Sequence, residues 1–170
     1  MSHAIRVLRI VPDTVVDGPG FRTSIYCAGC AHHCEGCHNP QSWDFSAGTP
    51  MTPREILDAV LAESPDSNLT FTGGDPFYQA EAFAELAQLV KAHDPKKTIW
   101  CYTGFTFEEI LADARLRVLL EKIDVLVDGP FVLARRDVTN FRFRGSSNQR
   151  LIDVPASLAA GVPVAWRSRF

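Results

Sequence analysis

Phe21-Arg22-Thr23-Ser24-Ile25-Tyr26-Cys27-Ala28-Gly29-Cys30-Ala31-His32-His33-Cys34-Glu35-Gly36-Cys37-His38-Asn39-Pro40 is the stretch on which the fold reading turns. Its first seven residues are rich in β-branched and aromatic side chains and predict a strand. The strand runs straight into a loop in which four of the chain's five cysteines fall within eleven residues. A reactive loop at a strand's carboxyl end is the usual arrangement of parallel α/β sheets.

Working outward, the chain alternates strand and helix. Upstream, Ile5-Arg6-Val7-Leu8-Arg9-Ile10 alternates apolar and polar residues and reads as a strand, and Asp17-Gly18-Pro19-Gly20 as a turn. Downstream, Thr52-Pro53-Arg54-Glu55 is a helix start, with Thr52 as N-cap and Glu55 closing a capping box. Asn68 to Thr72 is a short strand ended by Gly73-Gly74. A helix follows from about Gln79 to His93, with Phe83, Leu86, Ala87 and Val90 on one stripe. Thr98 to Thr103 is a strand. Thr106 and Glu109 open a helical stretch to about Lys122, and Ile123 to Asp128 is an apolar strand ended by Gly129-Pro130. This order predicts an α/β fold with a mostly parallel sheet, crossover helices and strands buried on both faces. The cysteine loop, Gly73-Gly74-Asp75-Pro76 and Asp128-Gly129 all fall at strand carboxyl ends, and so at one edge.

Length and composition bound the reading. At 170 residues the chain suits one domain and is short for a complete eight-unit βα barrel, which needs about 200–250 residues. With 46% hydrophobic and 22% charged residues it builds a real core. A net charge of -3 disfavours a generally basic nucleic-acid binder. There is no apolar run of about 18 residues and no signal-peptide pattern, so the expectation is a cytoplasmic protein with no membrane partner. Charge is uneven: residues 1–129 carry 10 Lys/Arg against 18 Asp/Glu, and residues 130–170 carry 7 against 2. The basic end either is a solvated tail or faces an acidic partner.

In a cytosolic chain, clustered cysteines read as metal binding. Four thiolates, from Cys27, Cys30, Cys34 and Cys37, would close a structural zinc site or a fully capped iron–sulfur cluster. Three, in the C-x3-C-x2-C spacing of Cys30, Cys34 and Cys37, would leave one iron open to a ligand. His32, His33 and His38 are further possible ligands, though loop histidines more often stay exposed or orient their neighbours. Cys101, between Trp100 and Tyr102, reads as a packed thiol.

The sequence resembles the radical S-adenosylmethionine activating enzymes of glycyl-radical proteins. The resemblance rests on Asp17-Gly18-Pro19-Gly20-Phe21-Arg22, the Gly29 to Pro40 cysteine segment, Thr72-Gly73-Gly74-Asp75-Pro76, Val125 to Phe131, and Gly145-Ser146-Ser147-Asn148-Gln149-Arg150. It implies an incomplete TIM-like βα barrel, with residues 1–153 as the radical domain and 154–170 as a C-terminal extension of the same domain. It implies a [4Fe-4S] cluster on Cys30, Cys34 and Cys37, and S-adenosylmethionine bound by Gly36, Cys37, His38, Thr72, Gly73, Gly74, Asp75 and Asp128. No catalytic side chain is implied beyond the cluster. Gly73 and Gly74 are expected to let backbone approach the methionine amino group; Arg22, beside the cluster strand, either sets the local potential or serves at the surface. The implied reaction reductively cleaves S-adenosylmethionine to a 5′-deoxyadenosyl radical. The implied partners are anaerobic ribonucleoside-triphosphate reductase, docked by Arg135, Arg136, Arg142 and Arg144, and a flavodoxin-type electron donor. Alternatives are an activase of another glycyl-radical enzyme, a small radical enzyme of another kind, or a zinc-binding or electron-carrier module. Two features depart from the pattern: Cys27 replaces an ordinary apolar strand residue, and the tail after Asp153 is long.

Overall fold

Both capping boxes read from the sequence are formed. Thr52 Oγ1 accepts from the Glu55 N–H (3.2 Å) while the Glu55 carboxylate accepts from the Thr52 N–H (2.7 Å), and Thr106 and Glu109 repeat the arrangement. The computed structural model describes residues 3–136, 139 and 142–168. Among these, the helices are α1 (Pro53–Glu63), α2 (Ala80–His93), α3 (Phe107–Ala112), α4 (Ala114–Leu120) and α5 (Val154–Ala160). The strands are β1 (Ile5–Thr14), β2 (Arg22–Cys27), β3 (Thr49–Met51), β4 (Asn68–Gly73), β5 (Ile99–Tyr102), β6 (Val125–Asp128) and β7 (Arg150–Asp153).

The strands form one sheet in the order β3-β1-β2-β4-β5-β6-β7. The four central strands β2, β4, β5 and β6 are parallel neighbours, so the expected α/β crossover core is present. The flanks are antiparallel, so the sheet is mostly but not wholly parallel, as expected. For β1 and β2 the reason is connection length: residues 15–21 between them are too few for a crossover, which takes a dozen residues or more. The stretch expected to run as one helix to Lys122 breaks at Asp113. That residue is extended (φ −108°, ψ 112°), and its side chain caps α4 through the Arg115 N–H.

The sheet's two faces differ in chemistry. Ile25 and Cys27 of β2, Phe71 of β4, Cys101 of β5 and Leu126 of β6 join Ile56, Val60, Phe83 and Leu86 of the helices in the main core. The intervening residues point the other way, as strand geometry requires. On that face Trp100, Val125 and Val127 form a second cluster with Phe143, Leu151 and Trp166, while Tyr26 and Thr72 are left to line a cavity.

The long tail is structured as far as Ser168. Asp153 caps α5 through the Ala156 N–H (3.0 Å), and Gly161 ends the helix in the left-handed region (φ +73°). The chain then returns along β7, where Trp166 N–H donates to Leu151 O and Asp153 N–H to Val164 O, both at 2.9 Å. It thereby covers an edge strand whose backbone would otherwise be unpaired.

Arg22 does not sit beside the cysteine loop. It is fully buried at the amino ends of β2, β4 and β5, donating to Thr70 Oγ1 (2.8 Å), Leu69 O (2.6 Å) and Thr98 O (3.0 Å). The cysteine loop leaves β2 at its other end, five residues on and about 16 Å away at strand rise. Burial lowers the guanidinium pKa to about 10, so it stays charged at neutral pH. Arg22→Lys keeps the charge but loses the fork of donors. It is expected to lower the unfolding free energy by about 2–4 kcal/mol, read in urea melts, while leaving iron content unchanged.

Candidate active site

The polar face of the sheet opens at the strands' carboxyl ends into a cavity of about 230 Å3. One wall is the cysteine loop, with Cys30, Cys34 and Cys37; facing it is the glycine turn, Thr72 to Asp75. Tyr26 and Tyr102 floor the cavity, and Phe131, Gly145 and Gln149 form the far rim. Strand alternation decides which cysteines share the site. Tyr26 faces the cavity, so its neighbour Cys27 faces the helices, fully buried in the main core. Cys101 is buried in the same layer, and burial pushes both thiols up.

The donor set fits an iron–sulfur cluster. Among the described residues, no three His, Cys, Asp or Glu side chains converge as a mononuclear metal site requires. Cys30, Cys34 and Cys37 line one cavity, and a multi-iron group in which each iron takes its own sulfur can use thiols spaced apart in this way. Burial pushes the Cys30 thiol up to about 11, opposed by a hydrogen bond from the His32 backbone N–H. Ligation favours the thiolate and offsets that penalty. Asn39 N–H donates to Cys37 Sγ (3.4 Å). Trp43, in the same cavity lining, has its indole N–H buried with no hydrogen-bond partner among the described residues.

The histidines are occupied in other ways. His32 Nε2 donates to Asp75 Oδ2 (2.7 Å), His33 packs on the Trp43 ring (4.6 Å between centroids), and His38 packs on Phe131 (5.1 Å).

The glycine turn is needed for a reason the sequence did not show. A Cβ on Gly73, whose φ is +103°, would lie 2.5 Å from Cys27 N, and one on Gly74 would lie 2.6 Å from Gly29 O. The missing side chains therefore make room for the backbone that enters the cysteine loop. Gly74 N–H donates to Cys27 O (2.7 Å) and Asp75 N–H to Gly29 O (2.9 Å), stitching turn and loop together.

Asp75 is a buried junction. Its Oδ2 accepts from His32 Nε2, Thr103 Oγ1 (2.8 Å) and Gly104 N–H (2.9 Å), and its Oδ1 accepts from Phe77 N–H (3.0 Å).

The remaining expected residues divide. Cys37, His38, Thr72, Gly73 and Gly74 line the cavity. Gly36 (φ +73°) lies behind it, with room for a Cβ taken by Leu133. Asp128 is not in the wall. Its carboxylate accepts from Phe107 N–H (2.8 Å) and from Arg150 Nε (3.0 Å), capping α3 and anchoring β7, while Gly129 beside it lines the cavity. Glu108 also pairs with Arg150, and this holds the Glu108 carboxyl below its usual range.

Sequence reasoning missed Ser42. It is buried, donating to Asn39 O (2.6 Å) and Gly73 O (3.2 Å), and so ties the end of the cysteine loop to the glycine turn. The signal that could have found the place, though not the contact, is the turn-forming dipeptide Asn39-Pro40. The segment Gly145 to Gln149 builds the rim: Gln149 Oε1 accepts from Gly145 N–H (2.8 Å) and its Nε2 donates to Gly129 O (3.0 Å).

Comparison with known proteins places this geometry. The family model of the 4Fe-4S single cluster domain matches residues 16–152. The anaerobic ribonucleoside-triphosphate reductase-activating protein of Vibrio cholerae is 40% identical over 145 residues, covering 81% of this chain and 91% of the relative. The chain belongs to this family. The family's proteins from Enterobacteria phage T4 and Escherichia coli K12 are 39% and 35% identical, covering 84% and 81% of this chain and 90% and 92% of their own. Among solved structures, QueE from Escherichia coli superposes with a TM-score of 0.51 at 14% identity, over 61% of this chain and 53% of QueE. That likeness shows a shared α/β architecture alone.

Anaerobically reconstituted Cys27→Ala is expected to keep its iron–sulfur absorbance, and Cys34→Ala to lose it. Equal loss in both variants would place the buried thiol among the ligands.

Proposed function

We infer that this chain holds a [4Fe-4S] cluster, cleaves S-adenosylmethionine reductively, and generates the glycyl radical of an anaerobic ribonucleoside-triphosphate reductase. The observation that carries the reading is one cavity in which three thiols face a glycine turn, in a chain of the reductase-activating family.

Bound there, the cluster supplies the electron that splits S-adenosylmethionine into methionine and a 5′-deoxyadenosyl radical. The protein's part is to hold and orient. Cys30, Cys34 and Cys37 would hold the cluster, while Cys27 is turned into the core, away from them. Thr72 Oγ1 and the carbonyls of the glycine turn accept from the ammonium of the methionine end. The backbone from Gly36 to His38 flanks the adenine. Asp75 and Asp128 act on the site by position, since their carboxylates are engaged by protein donors.

Arg135 and Arg136 are exposed near the rim, and Arg142 and Arg144 follow in the same basic segment. Their charge supports docking of the reductase there. The cluster's low potential calls for a flavodoxin-type donor. Four parallel strands with helices packed against one face support an incomplete TIM-like barrel over residues 1–153. The segment 154–170 extends the same domain. No helix among the described residues is long and apolar enough to cross a membrane. Thiol ligation of iron fits the reducing cytoplasm.

Reduced with dithionite, the reconstituted protein is expected to yield methionine and 5′-deoxyadenosine. With the cognate reductase added, it should yield a glycyl doublet in electron paramagnetic resonance. Cofactor cleavage without the doublet would point to a different glycyl-radical partner; absence of cleavage would overturn the reading.

A further inference from the structure

His32 lies in the three-residue spacer between Cys30 and Cys34, and its ring reaches across to the glycine turn. Backbone hydrogen bonds anchor the loop as far as Cys30, through Gly29 N–H to Ser42 O (2.7 Å) and Cys30 N–H to Trp43 O (3.4 Å). Beyond that point the His32 side chain takes over, donating from Nε2 to Asp75 Oδ2 at 2.7 Å. The pair is shielded, with the His32 side chain 17% exposed and that of Asp75 1%. The ring is held edge-on to Phe105 (4.6 Å) and tilted against Tyr78 (5.7 Å). A Cβ on Gly104 would come within 2.5 Å of the ring, so this glycine makes room for it. Thr103 Oγ1, Gly104 N–H and Phe77 N–H hold the carboxylate from elements outside the loop, so Asp75 is a fixed post. One residue of the spacer between two cavity thiols thus reaches the glycine turn through its ring.

We propose that His32 is a positioning residue which, through Asp75, sets the register between the cysteine wall and the glycine turn, so that the amino-acid end of S-adenosylmethionine meets both at once. The proposal rests on the function inferred above. A ligand that spans an iron corner and a backbone acceptor tolerates displacements of only about 0.5 Å between them. The spacer has no hydrogen bond to the sheet that would replace the one His32 makes, among the backbone hydrogen bonds of the described residues.

The test uses the full chain reconstituted with its cluster. The reduced-cluster electron paramagnetic resonance signal is titrated with S-adenosylmethionine, alongside iron and sulfide content and a thermal melt. His32→Ala is expected to keep wild-type iron and sulfide while its titration midpoint rises about tenfold, the effect of losing one hydrogen bond to a carboxylate. His32→Gln, whose amide nitrogen can stand in for Nε2, should stay within roughly threefold of wild type. It also keeps the test valid if the alanine variant melts early. A wild-type midpoint in His32→Ala overturns the proposal. So does a glutamine variant as impaired as alanine, which would assign the effect to ring packing, and so does loss of iron, which would assign it to cluster retention. A wild-type signal indifferent to S-adenosylmethionine would remove the functional reading instead, whatever the variants do.

Discussion

The site depends on a close passage of two backbones. Where β2 gives way to the cysteine loop, it lies against the turn after β4 so tightly that neither Gly73 nor Gly74 has space for a side chain. Two N–H···O bonds, Gly74 to Cys27 and Asp75 to Gly29, lock the approach. Parallel pairing of β2 with β4 runs Cys27 alongside Gly73, so the register of the sheet delivers the two segments to each other. Any residue larger than glycine here would force the loop away from the turn, and the thiols with it.

From that contact outward the polar groups form a connected frame. Ser42 bonds the far end of the cysteine loop to Gly73, His32 bonds its middle to Asp75, and Asp75 reaches β5's exit through Thr103 and Gly104. A second frame, centred on Arg150 between Asp128 and Glu108, fixes β7 and the start of α3 behind the far rim. Neither frame contributes a thiol to the cavity. Both hold its walls at a set distance, which is the requirement for a ligand touching both. The opposite end of the sheet is tied separately, by the buried Arg22.

Much of this was readable from local pattern. The capping boxes at Thr52 and Thr106, the central strands and the cysteine spacing depend on neighbours within a few residues, where propensity and hydrogen-bond chemistry act directly. The antiparallel flanks were less visible, because β3 and β7 are short and their partners lie far along the chain. The break at Asp113 was overlooked because the apolar residues on either side continue a helical pattern, while the N-cap residue interrupts it. Arg22 was misplaced for a related reason. Nearness to the cysteines in sequence is distance along an extended strand, and five strand residues span most of a sheet.

The amino-acid sequence alone determined that the chain alternates strand and helix, gathers its cysteines in one loop and resembles the radical S-adenosylmethionine activating enzymes. These are local or compositional properties. Tertiary structure decided which cysteines share a cavity, since the alternation of side chains across a packed sheet turns Cys27 inward and Tyr26 outward. It also decided what the glycines and aspartates do: Gly73 and Gly74 admit a neighbouring backbone, Asp75 braces His32, and Asp128 is spent on α3 and Arg150. Such roles depend on groups brought together from separate strands, and pairwise contact of that kind is a property of the folded chain.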